Sequence, residues 1–192
     1  MQAIGILHSE HRSLAAVMHG MLYLIRDIRL RGTVPRLDVL SAMVNYIGTV
    51  TERFHHPKED EYLFRLLAMR SSKAQQLIAQ LQAEHRAGAA MAQTLERTLD
   101  CYRQEGVAQF PLFAGAATKY AKLQWRHIRE EEDRVVPLAR AYLTKEDWIE
   151  VNAAFSGHTD PLFGVDASLE YEGLFRRIVD LAPAPLGVGP DK

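Results

Sequence analysis

Apolar residues recur at alternating four- and three-residue steps along the first 140 positions. The first stripe is Leu7, Leu14, Met18, Met21, Ile25 and Ile28, with His11 standing where an apolar member is due. That period is the signature of an amphipathic helix turning one face to a core. Gly32 and Pro35 end this helix and open the next, whose stripe runs Leu37, Leu40, Val44, Ile47 and Thr51 before turning polar at His55 and Glu59 and closing on Tyr62. A break at "MRSSKAQQ" follows, in which Ser72 with Gln75 reads as a capping box. The third stripe is Leu77, Leu81, His85, Gly88, Ala92, Leu95, Leu99 and Tyr102, ended by Gly106. From Pro111 a fourth carries Phe113, Ala117, Tyr120, Leu123, His127, Glu131, Val135 and Leu138. Four long helices joined by short turns predict an all-α, antiparallel up-down four-helix bundle over residues 1–143.

The composition changes after Leu143. Thr144 with Asp147 three residues later predicts a capped short helix to about Phe155. "SGHTDPLFG" reads as a loop, a second short helix is expected over about 168–181, and "PAPLGVGP" closes the chain. Residues 144–192 therefore read as a C-terminal appendage that packs on the bundle or on a partner, a homodimer through this appendage being one arrangement.

Charge and cysteine content narrow the function classes. With 23 basic and 24 acidic residues the formal net charge is −1, so no global field recommends nucleic acid or an anionic membrane. One cysteine, Cys101, allows neither an intrachain disulfide nor a thiolate-rich metal site and suits a reducing compartment. The opening "MQAIGILHSEHR" lacks a basic leader and no apolar run approaches a membrane span, so a cytoplasmic location is expected.

The polar interruptions of the stripes are where chemistry enters. The chain repeats itself: "LHSEHR" (7–12) resembles "LQAEHR" (81–86), and "HHPKEDEYLF" (55–64) resembles "HIREEEDRVV" (127–136). Residues on adjacent antiparallel helices share a height when they are equally far from the connecting turn. His11 and His55 are each 22 residues from position 33, His55 and His85 each 15 from position 70, and His85 and His127 each 21 from position 106. Four histidines thus reach one level on inward faces. Glu59 and Glu131, four residues past His55 and His127, point inward with them. Six such groups in an apolar core would be strongly unfavourable unless something compensates them. A multivalent cation does so. Four imidazoles and two carboxylates exceed the needs of one tetrahedral ion and suit two metals bridged by carboxylates; these donors fit iron and also admit zinc or manganese.

With those residues in place, the chain resembles the hemerythrin-like (HHE cation-binding) family, whose bacterial members carry the order H, HxxxE, H, HxxxE. Here that order is His11, His55 to Glu59, His85, and His127 to Glu131, within about residues 4–140. The resemblance implies a di-iron centre with an oxo or hydroxo bridge, and chemistry with O2, peroxide, nitric oxide or iron itself. Two departures matter. Oxygen-carrying members have HxxxH in the third helix, where this chain has Ala89, so an open coordination position is expected. They also set the last carboxylate five residues after the last His, at Glu132 here; the repeat's spacing selects Glu131 and leaves Glu132 on the helix flank. In the F-box members the residue after the second-helix His is a ligand, which makes His56 a candidate seventh donor.

Other groups read as structural. His8, one turn nearer the open end than His11, reads as surface, His19 and His158 lack partners at matched height, Glu10 and Glu84 read as solvated, and Tyr62, Tyr120 and Trp125 as core aromatics. Glu52 with His55 forms one Glu-x-x-His, but the fourth helix offers Gln124 where a ferritin-like site needs a second. Pro57 should kink the second helix, and Pro137 should bend or end the fourth. The expected function is a non-enzymatic di-iron protein that binds or senses O2, nitric oxide or oxidative stress. The alternatives are an enzyme turning over peroxide or nitric oxide and an iron-responsive interaction module.

Overall fold

A computed structural model describes residues 2–33 and 35–157, and among them every regular element is helical. The bundle is formed by α1 (Gln2–Arg31), α2 (37–70), α3 (Ser72–Glu105) and α4 (110–142), and α5 (Lys145–Ser156) follows. The connections are short, so neighbours run antiparallel as the apolar stripes predict. Gly32 (φ +63°) and Gly106 (φ +81°) make the turns that end α1 and α3, in the left-handed region that a side chain disfavours. The expected second short helix, about 168–181, lies outside the described residues.

Two caps differ from expectation. Ser71, not Ser72, is the first flanking residue of α3, and its extended backbone carries no side-chain cap. Gln75 instead donates to the Ala68 carbonyl at 3.3 Å, so the Ser72–Gln75 box does not form. The Thr144–Asp147 box of α5 does form: the Asp147 amide donates to Thr144 Oγ1 at 3.2 Å, and the Thr144 amide to Asp147 Oδ2 at 2.9 Å. Asp147 also accepts two hydrogen bonds from the Arg70 guanidinium, at 2.7 and 2.9 Å, fastening α5 to the end of α2.

Neither proline ends its helix. α2 runs through Pro57 with wide, i→i+5-bonded turns over Ile47–His55 and Glu59–Phe64, and α4 has one over Glu131–Val135. The wide turn supplies a physical reason: the His56 amide reaches back five residues to Thr51 O, so the ladder steps around the N–H that Pro57 lacks. Pro137 is accommodated in the same way: the Val136 amide reaches back five residues to Glu131 O, and the helix continues to Tyr142.

The core is split. One apolar cluster fills the end near the Gly32 and Gly106 turns, with Met18, Met21, Met43, Ile47, Phe113 and Tyr120 fully buried. A second fills the other end and joins Leu7, Phe64, Leu67, Leu81 and Val135 to Val151 and Phe155 of α5. The first helix of the expected appendage is thus part of the bundle's own core. Each buried Leu or Phe stabilises by roughly 1.5–3 kcal/mol. Between the clusters lies a layer of buried polar side chains that includes His11, His55, His56, Glu59, His85, His127 and Glu131. Replacing Gly106 with Ala should cost ~1–3 kcal/mol, because φ +81° with ψ −159° is strained for any side chain; urea unfolding would read it, and an unchanged midpoint would contradict it.

Candidate metal centre

All four helices contribute to the polar layer. Five imidazole Nε2 atoms and two carboxylates meet there. Among the buried donors, one group with ligand atoms within 4.8 Å of one another is His11, His55, Glu59 and Glu131, and another is His56, Glu59, His85 and His127. Glu59 belongs to both. Its Oε1 faces His55 Nε2 (3.4 Å) and His11 Nε2 (3.8 Å), and its Oε2 faces His85 Nε2 (3.4 Å). Glu131 does the same in reverse hand: Oε2 lies 3.1 Å from His11 Nε2, and Oε1 lies 3.0 Å from His127 Nε2 and 3.9 Å from that of His85. Each carboxylate therefore offers one oxygen to each set of imidazoles, which is what a group bridging two ions must do.

The imidazoles are aimed by carboxylates behind them. His11 Nδ1 meets Glu132 (2.9 Å), His55 Nδ1 meets Glu10 (2.8 Å), His56 Nδ1 meets Glu52 (3.1 Å), His85 Nδ1 meets Asp60 (3.1 Å) and His127 Nδ1 meets Glu84 (3.2 Å). At His11, His55, His56 and His127 the carboxylate accepts the Nδ1 proton, which leaves the Nε2 lone pair pointing inward as a metal-binding imidazole requires; Asp60 approaches His85 Nδ1 without an aligned hydrogen bond. The repeat explains the pattern. The acid before each "EHR" histidine reaches the histidine of the next helix, Glu10 to His55 and Glu84 to His127. The acid after each inward glutamate reaches the other "EHR" histidine, Asp60 to His85 and Glu132 to His11.

The arrangement is incomplete without a cation. His11 Nε2, His56 Nε2 and all four oxygens of Glu59 and Glu131 are buried without an aligned hydrogen bond among the described residues. His85 Nε2 and His127 Nε2 stand 2.9 Å apart. That is a hydrogen-bond distance when one ring is the donor, and it is also close to the roughly 3.0 Å between two nitrogens held about 2.1 Å from one ion at a right angle, so the pair could serve as two ligands of one ion without rearrangement. The donor set fits two metal ions.

Electrostatics follow the same geometry. Burial works against a charged His85, yet Asp60, Glu131 and Glu59 push it up to about 11. Burial likewise opposes a charged His11, and Glu131, Glu132 and Glu59 still hold it well above the usual histidine range. Glu59 is disfavoured as an anion by burial and by Glu131, but His55, His11 and His85 bring it down to about 2. His56 differs: burial lowers it, outweighing the pull of Glu52. A metal entering this site displaces protons from imidazoles.

A family model described as the hemerythrin HHE cation binding domain matches residues 2–139. The chain belongs to the hemerythrin HHE cation-binding family. Neither the curated proteins nor the solved structures give a match. No helix among the described residues is long and apolar enough to cross a membrane.

Within this hemerythrin-type bundle, the four histidines placed at one height by their distances from the turns come together with Glu59 and Glu131, and His56 joins them. Its ring stacks on that of His85, centroids 4.1 Å apart and planes at 15°. A fifth imidazole is therefore supplied by α2, not by position 89 of α3. Ala89 instead lines a cavity of about 250 Å³ between α2 and α3, with Gly48, Glu52, Ala92 and Glu96 around it. Glu52, one of its lining residues, also accepts a hydrogen bond from Tyr120 at 2.7 Å.

Several expectations for the surrounding residues need correction. Glu10 is buried and bonded to His55, not solvated, and Glu84 binds His127. Glu132 does turn to the flank, but there it holds His11. His19 donates to Ala15 O at 2.8 Å and packs against Trp125, as a structural histidine. His158 lies outside the described residues. Asp60 and Lys58 were given no role by the sequence; the match of Asp60 to Glu132 in the repeat was a signal for the first, whereas Lys58 stands opposite Glu130 and had none.

Three outcomes follow from this geometry. Glu131→Ala should lower the metal content at saturation. Glu132→Ala should keep two ions but weaken affinity about tenfold, since an orienting carboxylate is lost; equal stoichiometry losses in metal titrations would contradict the assignment. Without metal, the raised His85 contributes stability fully present below its ordinary 6.5 and lost as pH rises toward about 11. The depressed Glu59 contributes fully above its ordinary 4.5 and loses this as pH falls toward about 2. The metal-free protein should be most resistant to urea between those ordinary values, and a midpoint that climbs from pH 7 to 9 would contradict this. Metal at a thousandfold excess over Kd should add ~4 kcal/mol; equal melting temperatures with and without metal would count against the site.

Proposed function

We propose that this chain holds two iron ions between Glu59, Glu131 and the five histidines, and uses them to bind or sense dioxygen, nitric oxide or oxidative stress. The observation that carries the reading is the split allegiance of the two carboxylates, each with one oxygen toward each imidazole set. Iron bound there would supply one-electron steps and a coordination position for a small molecule. The chain's own residues do the rest. The outer carboxylates fix the tautomers of His11, His55, His56 and His127, and Phe64, stacked on His85 at 5.5 Å, shields the centre from water on that side. The apolar clusters above and below lower the local dielectric, which strengthens the hold of charged donors on a cation.

A second reading is favoured by the cavity between α2 and α3. It gives a small polar molecule a place beside Glu52, which touches both His56 and Tyr120. That placement suits an enzyme consuming peroxide or nitric oxide. The same iron-loaded, reduced protein separates the two. Exposure to dioxygen or nitric oxide should give a reversible change in the visible spectrum with one equivalent of gas per centre. Sustained consumption of peroxide or nitric oxide over many equivalents, lost in Glu59→Ala, would favour the enzyme, and neither behaviour would sink both.

A further inference from the structure

We propose that Lys58 and Phe155 are positioning residues for His55, so that α5, which lies beyond the matched residues 2–139, is a coupled part of the metal centre. The inference rests on the two-ion reading above. It starts from Glu10, which differs from Glu132 and Asp60 in being buried, and from Glu84 in having a buried lysine rather than an exposed arginine as its counter-charge. Glu132 and Asp60 have side chains 40 % and 35 % exposed, and Glu84 is braced by the exposed Arg126 at 3.0 Å. Water or a surface cation can balance those charges. Glu10 is 6 % exposed, and its counter-charge is Lys58, whose ammonium donates to Oε1 while Oε2 meets His55 Nδ1 at 2.8 Å.

A buried lysine is itself costly unless its charge is met on every side. Lys58 is 7 % exposed, and the face of the Phe155 ring lies 5.1 Å from its Nζ, within reach of a cation–π attraction. Phe155 is 1 % exposed and sits on α5. That helix is held by the Ala3 amide on Asn152 Oδ1 (2.8 Å), by Arg70 on Asp147, and by Arg65 on Glu150. The contacts run in series: α5 seats Phe155, Phe155 covers Lys58, Lys58 fixes Glu10, and Glu10 aims His55. An ion on His55 tightens the same series from the other end, because coupling between two sites is reciprocal. Only the ion of the His11–His55 set is served by it; the His56, His85 and His127 set is aimed by Glu52, Asp60 and Glu84.

This asymmetry makes the test selective. The protein loaded with iron(II) is challenged with a bidentate iron(II) chelator, and the release of each ion is followed by absorbance. In Lys58→Met one ion should leave at least about tenfold faster than in the parent while the other keeps its rate, and Lys58→Arg should restore most of the difference. Phe155→Leu, which keeps apolar volume but removes the ring face, should show the same one-ion pattern to a lesser degree. Amide exchange over residues 145–156 should slow on iron loading in the parent and respond less in Lys58→Met. Equal acceleration of both ions in the two variants would mean general loosening and would overturn the inference, as would unchanged rates. A parent chain that takes up no iron would overturn the metal-centre reading, and this inference with it.

Discussion

An imidazole has two nitrogens, and a carboxylate hydrogen-bonded to one of them decides what the other can do. Here that bond is made four times, by Glu132, Glu10, Glu52 and Glu84, each time at Nδ1, and Asp60 faces the Nδ1 of the fifth imidazole, His85, at 3.1 Å. Five Nε2 lone pairs are thereby turned into a space a few ångströms across, together with two carboxylates that carry no aligned hydrogen bond. Nothing in an apolar bundle favours such a layer by itself. The layer persists because apolar clusters on both sides stabilise the helices that carry it, and its unmatched donors are what a cation satisfies.

The duplicated hairpin gives this centre its symmetry, and the wide helical turns break it. Glu59 and Glu131 each begin such a turn, so the chain is loosened at the same place in both repeats. Only α2 has a second wide turn, ahead of Pro57, and only α2 brings two consecutive histidines to the centre. In a regular helix neighbours lie about 100° apart, and His55 and His56 would not share a target. Both nevertheless reach the centre where the wide turn ends ahead of Pro57, and a fifth imidazole comes from α2 where position 89 of α3 has none.

This explains how far the sequence could be read. The fold and the inward ranks of His11, His55, Glu59, His85, His127 and Glu131 followed from a period and from distances to turns, both of which survive local irregularity. Glu131 was separable from Glu132 because the repeat preserves its spacing. His56 was suggested only by resemblance, since helical geometry speaks against it. Glu10 and Glu84 were misread as solvated because a helical wheel shows which way a side chain leaves its own helix and not which neighbour it meets. The Ser72–Gln75 box failed for a smaller reason, a helix boundary one residue earlier than the pattern suggested.

The central claim is that one chain holds two ions sharing two carboxylates. X-ray absorption at the metal edge of protein purified from its native host, combined with metal analysis, tests it most directly. The account predicts two irons per chain, imidazole scattering in the first shell, and a metal–metal vector at about 3–4 Å. One ion per chain, or two ions with no metal–metal vector, would contradict it.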